Sequence, residues 1–347
     1  MGTRPQIIKL PILLSELKKR KFNVQTIHSG QHYDYVLSQK NFKDLHIPNP
    51  TINLEVGSGT HLQQISKIFN KLEKWFKKHR PDFVIIPGDT TSAVASALVC
   101  SKMGIKFGHL EAGARSNQFS MSEEINRRII DHCSDVLFAP TKNCLQNLKN
   151  ENLGNRAIFV GDTMYDLFLK QKNELKLMKL EKGKIQNRIL ITIHRFENIN
   201  EKNNLKKICS LINNLVKANY EVVFPLHPHT KKMLKKFNLN TNAKIIQPIG
   251  YLDILKTLLL SRLVITDSGG LQKEAYWTET PCITIRESTE WVETINEKAN
   301  RLYSLDNPFN IGNLENIISK KIHVKPSLFG DGKASEKISN FLKTYKI

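Results

Sequence analysis

Short β-branched apolar runs alternate along this chain with longer segments in which apolar residues return every third or fourth position. Val24–His28, Phe83–Ile86, Phe107–Glu111, Val136–Ala139 and Ala157–Val160 read as strands. Helices are expected near Val36–Leu45, after Gly59-Thr60 and over Ser92–Met103. A second series runs through Ile189–Ile193, Val222–Pro225, Lys244–Ile246, Leu263–Thr266 and Cys282–Ile285, again with helices between. Strand and helix taking turns is the pattern of a parallel sheet covered on both faces. The expectation is an α/β chain of two doubly wound domains, residues 1–170 and 189–347, joined by a charged linker over 171–188. The last helix, Ala334–Tyr345, fits either domain.

The opening is unusual for such a fold. Met1-Gly2-Thr3-Arg4-Pro5 reads as a loop entering a helix, with Ile7, Ile8, Leu10, Leu13, Leu14 and Leu17 at helical spacing. A loop of this kind follows a buried central strand, yet nothing precedes Gly2 except Met1. The first strand is therefore missing from the sequence, and the natural start is expected upstream.

Charge changes the picture less than its size suggests. The net charge is +20, but of 52 basic residues only 12 are arginine, and the lysines are spread over many helices. That bias reads as codon usage and a solvated basic surface rather than a nucleic-acid site. Five cysteines without C-x-x-C spacing, no membrane-length apolar run and no signal-peptide core point to reduced thiols in the cytoplasm.

Chemistry is expected in the loops that end the strands, because ligands gather at the carboxyl edge of an open parallel sheet. The sharpest such junction is Leu263–Thr266 followed by Asp267-Ser268-Gly269-Gly270 and a helix start. Free N–H groups, a helix dipole and two glycines make that junction an anion site, and Glu274 one turn later suits the hydroxyls of a ribose. Asp89, Glu111 and Glu123 are candidates for acid–base work, since neighbouring carboxylates divide into acid and base. Each has a structural alternative: Asp89 as a cap for the helix near Ser92, Glu111 as a partner of Arg115, Glu123 closing a capping box with Ser120. His227-x-His229 with His194 lacks the ligand spacing of a zinc site, so no metal is expected.

Seven segments then occur together in order. They are Gly2-Thr3-Arg4-Pro5-Gln6, Gly88-Asp89-Thr90, His109-Leu110-Glu111-Ala112-Gly113, Glu123-Glu124-Ile125-Asn126-Arg127, Thr192–Asn198, Thr266–Glu274 and Arg286-x-x-Thr289-Glu290. Over nearly its whole length the chain resembles the non-hydrolysing UDP-N-acetylglucosamine 2-epimerases. The resemblance implies two Rossmann-like domains facing across a cleft, a GT-B-like arrangement, and a homodimer. It also implies reversible inversion at C2 of a UDP-sugar through elimination of UDP and a 2-acetamidoglucal, with no metal or redox cofactor. Carried over, Asp89, Glu111 and Glu123 match the acid–base carboxylates, their individual roles open, and His194 matches a histidine near the diphosphate. Arg4, Lys9, Ser268, Gly269, Gly270 and Arg286 match diphosphate and sugar contacts, Glu274 the ribose contact, and Ile249 and Ile254 the uracil wall.

Departures from the family pattern are Gln6 for glutamate, Ser122 for proline, and His229 for arginine. Gln6, Gly30-Gln31-His32-Tyr33-Asp34 and Glu290-Trp291-Val292-Glu293 are also similar to relatives that epimerise UDP-2,3-diacetamido-glucuronate, so that sugar stands as the alternative substrate. A glycosyltransferase of the same architecture and a nucleic-acid-binding protein are the remaining readings.

Overall fold

The computed structural model describes residues 1–30, 35–172, 175 and 187–345. The Gln31-His32-Tyr33-Asp34 segment and most of the 171–188 linker lie outside the described residues. The chain divides into two compact α/β units, Met1–Lys170 with Pro326–Ile347, and Gln171–Lys325. The segment after Lys325 thus returns to the first unit. Its helix Ala334–Thr344 is tied there by Asp166, whose carboxylate accepts from the backbone N–H groups of Ala334 (3.1 Å) and Ser335 (2.7 Å). Those are the free donors of a helix start, and a carboxylate satisfies them.

In the second unit six strands, β7 (Arg188–Thr192), β8 (Glu221–Pro225), β9 (Lys244–Ile246), β10 (Leu263–Thr266), β11 (Cys282–Ile285) and β12 (Asn300–Tyr303), form one parallel sheet. Its order is β12-β11-β10-β7-β8-β9. The chain winds outward in one direction from β7, then returns to β10 and winds outward in the other, which is the Rossmann order. The reversal falls between β7 and β10. There Thr192 pairs with Thr266, and their hydroxyls meet at 2.6 Å, so both strands end at the same level. The core gathers Ile189, Ile191, Val222, Phe224, Leu263, Ile265 and Ile283 with Leu205, Ile208 and Ile212 of the helix Lys202–Lys217.

The first unit carries two parallel sheets. One pairs β1 (Ile27–His28) with β2 (Ile52–Asn53), and the other has the order β3-β4-β5-β6, comprising Val84–Pro87, Phe107–Leu110, Val136–Ala139 and Ala157–Phe159. Alternate residues serve opposite faces. Val84, Ile86 and Phe107 pack with Ile68, Leu72, Phe76 and Ala97, from the helices His61–Lys78 and Thr91–Met103. Phe83, Ile85 and Phe138 pack with Leu13 and Leu17 of Pro11–Lys19 and with Ile338 of the final helix. Hydroxyl caps start three of the helices: Thr60 in a full capping box with Gln63, Thr90 on the N–H of Ala93, and Thr141 on that of Cys144.

Several expectations change. The apolar run at Val24 shrinks to two paired residues, Ile27 and His28. The backbone of Met1 lies against it, donating to Ile27 O (2.9 Å) and accepting from Ser29 N–H (2.8 Å). The single helix expected from Ile7 to Leu17 is two, Arg4–Ile7 and Pro11–Lys19, because Pro11 has no N–H to continue the ladder. β2 and β12 are strands that the pattern did not mark. Among the described residues the five cysteines are free, and no helix is long and apolar enough to cross a membrane. Burial pushes the thiols of Cys100 and Cys282 up to about 12.

One backbone position fixes the loop that leaves β4. Gly113 has φ +82°, and a Cβ there would fall inside the contact distance of the Cys144 carbonyl oxygen. Gly113→Ala is therefore strained in conformation and in space, and is expected to destabilise the protein by about 2–3 kcal/mol. A lowered urea midpoint at unchanged slope measures it; an unchanged midpoint would show that the loop yields.

Candidate active site

Where β3 and β4 end, the first unit brings together residues from three distant parts of the chain. Gln6 is buried and bridges two loops: its carboxamide oxygen accepts from Gly2 N–H (2.6 Å), and Nε2 donates to Pro87 O (2.7 Å). Only an amide, with a donor and an acceptor, makes both bonds. One turn on, Lys9 Nζ donates to Glu111 Oε2, and both side chains are largely buried. A Cβ on Gly88 would lie 3.0 Å from Lys9 Nζ and 3.9 Å from Glu111 Oε2, so the Gly88 turn lies against this ion pair. Glu111 itself has φ +79°. A side chain held in the left-handed region is strained by about 1–3 kcal/mol and persists only where the surroundings over-determine it.

Asp89 follows Gly88 and is gripped from the helix Ser122–Cys133. Asn126 Nδ2 donates to its backbone carbonyl (2.9 Å), and Arg127 Nη1 to its Oδ2 (2.6 Å). Behind Arg127 runs a series of ion pairs: Arg127 to Glu124 (3.0 Å), Glu124 to Arg128 (3.0 Å), Arg128 to Glu151 (2.8 Å), Glu151 to Arg115 (2.7 Å) and Arg115 to Asp131 (2.8 Å). Asp131 is fully buried and meets His109 Nδ1 at 2.6 Å, while His109 Nε2 lies 3.0 Å from the carbonyl of Gly88. The series thus returns to the peptide beside Asp89. Burial by itself raises the carboxyls of Asp131, Glu124 and Glu151. The donors prevail: His109 and Arg115 hold Asp131 below the usual carboxylate range, Ser116 N–H and Arg127 hold Glu124 there, and Arg115 and Arg128 hold Glu151 there.

These contacts replace the structural alternatives raised from sequence. The cap of the helix Thr91–Met103 is Thr90, not Asp89. Arg115 pairs with Asp131 and Glu151, leaving Glu111 to Lys9. The capping box expected from Ser120 and Glu123 is not formed. The helix starts at Ser122 with Met121 at its cap position, and Glu123 accepts from the hydroxyl of Ser122 at 3.3 Å. Arg4, in the first turn of the chain, has a buried Nε with no partner among the described residues.

In the second unit one buried carboxylate organises the switch point between β7 and β10. Asp267 accepts from the backbone N–H of His194 (3.0 Å) and Arg195 (2.9 Å) and from Asn198 Nδ2 (3.0 Å), and its own carbonyl accepts from Arg195 Nε (2.8 Å). His194 Nδ1 lies 3.2 Å from Asp267 Oδ1, with its side chain 42% exposed. The ring is thus held at one nitrogen while part of it faces solvent. Ser268, Gly269 and Gly270 start the helix Gly269–Trp277 with partly exposed backbone, and Glu274 lies buried one turn on. Arg286 Nη2 pairs with Glu290 Oε2 at 2.8 Å, and Glu290 reaches over Gly269 so closely that a Cβ there would collide with its carboxylate. Ile249 is half-buried in the loop before the helix Tyr251–Leu259, whereas Ile254 is in the core of that helix. His227 Nδ1 caps the helix Pro228–Phe237 by accepting from His229 N–H, which explains the pair.

The reading of the sequence missed Asp267, Arg127, Asp131 and His109 as organisers. A signal for two of them exists: Glu124, Arg127, Arg128 and Asp131 recur at spacings of three and four, a charged stripe on one helix face. Such a stripe ordinarily faces water, and nothing local says that this one is buried.

Comparison with known proteins places the whole chain. The family described as UDP-N-acetylglucosamine 2-epimerase matches residues 15–343. A Methanocaldococcus jannaschii protein named UDP-N-acetylglucosamine 2-epimerase is 40% identical over 356 residues, covering 99% of this chain and 97% of the relative. The UDP-2,3-diacetamido-2,3-dideoxy-D-glucuronate 2-epimerase of Pseudomonas aeruginosa is 36% identical over 348 residues, covering 99% and 98%. The crystal structure of the M. jannaschii UDP-GlcNAc 2-epimerase in complex with UDP-GlcNAc and UDP superposes with a TM-score of 0.91 at 38% identity, covering 99% of this chain and 98% of that one. These similarities establish that the chain belongs to the UDP-N-acetylglucosamine 2-epimerase family.

Proposed function

We propose that this protein epimerises UDP-N-acetylglucosamine at C2, eliminating UDP to give a 2-acetamidoglucal, whose double bond then takes a proton at C2 on the other face and UDP back at C1. The observation that carries the reading is Glu111, a carboxylate held at positive φ and fixed by Lys9 beside the Gly88-Asp89 turn. Abstraction of an unactivated C2 hydrogen needs a positioned carboxylate, and a second carboxyl returns the proton. Asp89, fixed by Arg127, and Glu123 are the other two acid–base groups in this reading. Departure of UDP places negative charge on a phosphate oxygen. N–H donors and cations fixed in advance stabilise it without reorganising. In the second unit Ser268, Gly269, Gly270 and Arg286 supply those groups, His194 stands beside them on Asp267, and Glu274 takes the ribose; Ile249 borders the uracil, with Ile254 behind it. Arg4 and Lys9 serve the sugar and diphosphate from the first unit.

The 36% identity to the diacetamido-glucuronate enzyme, across nearly the full length of both chains, supports UDP-2,3-diacetamido-glucuronate as the second substrate reading. The two sugars differ by a carboxylate and an acetamido group, so one assay separates them. Incubated in deuterated water without added cofactor, the true substrate is expected to give its manno epimer with deuterium at C2 by proton NMR. Absence of exchange with either sugar would sink the reading.

Glu111→Gln and Asp89→Asn are each expected to lower turnover by about 10²–10⁴-fold, the usual weight of an acid–base group. UDP affinity, measured by calorimetry, should change little, because the diphosphate groups are untouched. Turnover within a few-fold of the parent protein in both variants would remove these residues from the chemistry.

A further inference from the structure

The ring of ion pairs behind Asp89 ends at a histidine with an acceptor beside each of its ring nitrogens. His109 is fully buried, and both its ring nitrogens face acceptors: the carboxylate of Asp131 at Nδ1 (2.6 Å) and the carbonyl of Gly88 at Nε2 (3.0 Å). A neutral imidazole has one N–H, so it would leave one nitrogen lone pair pointing at an oxygen lone pair. A buried, unbonded acceptor pair of that kind is costly. Charge balance points the same way. The connected series holds four carboxylates, Asp89, Glu124, Glu151 and Asp131, against three guanidiniums, Arg127, Arg128 and Arg115. A cationic His109 makes the count even.

Position gives this cation a task. Asp131 accepts not only from His109 but also from Gly113 N–H (3.0 Å) and from Arg115. It therefore clamps the chain two residues before and two residues after Glu111. His109 extends that clamp to the neighbouring strand end by donating to Gly88, the residue before Asp89. We propose that His109 is a positioning residue: a buried imidazolium that donates through Nδ1 to Asp131 and through Nε2 to Gly88, locking the Asp89 turn to the Glu111 loop. The kinetic consequence rests on the epimerase reading; the protonation and the lock do not.

Two variants separate the two bonds. The amide nitrogen of glutamine overlays Nε2 and keeps the bond to Gly88, whereas that of asparagine overlays Nδ1 and keeps only the bond to Asp131. In the full-length protein labelled with ¹⁵N-histidine at pH 7, both ring nitrogens of His109, identified by their loss in His109→Gln, are expected to be of the protonated type. One unprotonated nitrogen would overturn the proposal. The ¹⁵N shift of the Asp89 amide, which belongs to the same peptide as the Gly88 carbonyl, should move in His109→Asn and stay near the parent value in His109→Gln. Equal shifts in both folded variants would refute the lock. In the epimerase assay His109→Asn should lose about 10²-fold in kcat with KM within a few-fold, as expected when a reacting group is misplaced by about 1 Å, and His109→Gln should recover much of it. A parent protein that epimerises neither sugar refutes the activity reading alone, and the two NMR measurements still decide the role of His109.

Discussion

The constraint on which the first unit's candidate site depends is the closed circuit of largely buried charge from Asp89 through Arg127, Glu124, Arg128, Glu151, Arg115 and Asp131 to His109 and back to Gly88, with Asp89, Arg128 and Glu151 partly exposed. Charges taken out of water tolerate little displacement, because each relies on its neighbours for the solvation it has lost. Removing one member of a buried pair typically costs about 3–5 kcal/mol, and here each loss is passed to the next pair. The circuit therefore acts as a rigid frame around two loop ends that would otherwise be soft. Glu111 sits in the left-handed region because that frame holds it there, with Asp131 accepting from Gly113 on one side and His109 on the other.

The second unit solves the same problem with fewer parts. Asp267, at the end of β10, gathers the donors of His194, Arg195 and Asn198 from the end of β7, so a single carboxylate links the two strands at the switch point. The loop carrying His194 is thereby fixed to the loop carrying Ser268. In both units, the residue that orders the candidate site is a buried acid one step away from the candidate residues themselves.

Much of this architecture was legible in the sequence. The strand runs of the second unit stand out because both faces of a central parallel strand are apolar, and Ile189–Ile193 and Leu263–Thr266 are continuous runs for that reason. β12 escaped notice because Asn300 and Arg301 interrupt its apolar character, and β2 because two paired residues make no period. Candidate residues at strand ends, such as Asp89, Glu111 and Ser268, could be named because a loop position needs no partner to be recognised. Their partners could not be named. That Arg115 belongs to Glu151 and Asp131 rather than to Glu111 depends on the sharp turn at Gly113, which sets Arg115 between Asp131 of the helix Ser122–Cys133 and Glu151 at the end of the helix Lys142–Asn150.

The arginines of this lysine-rich chain carry a further meaning. Arg115 holds Glu151 with two parallel N–H bonds, Arg188 holds Glu221 in the same way, and Arg127 reaches Asp89 and Glu124 at once through its two terminal nitrogens. Lysine, a compact charge on a flexible stem, does not offer this fixed planar fork. At these three positions an exchange of arginine for lysine would keep the charge and lose the flat, two-pronged fork that the pairing uses.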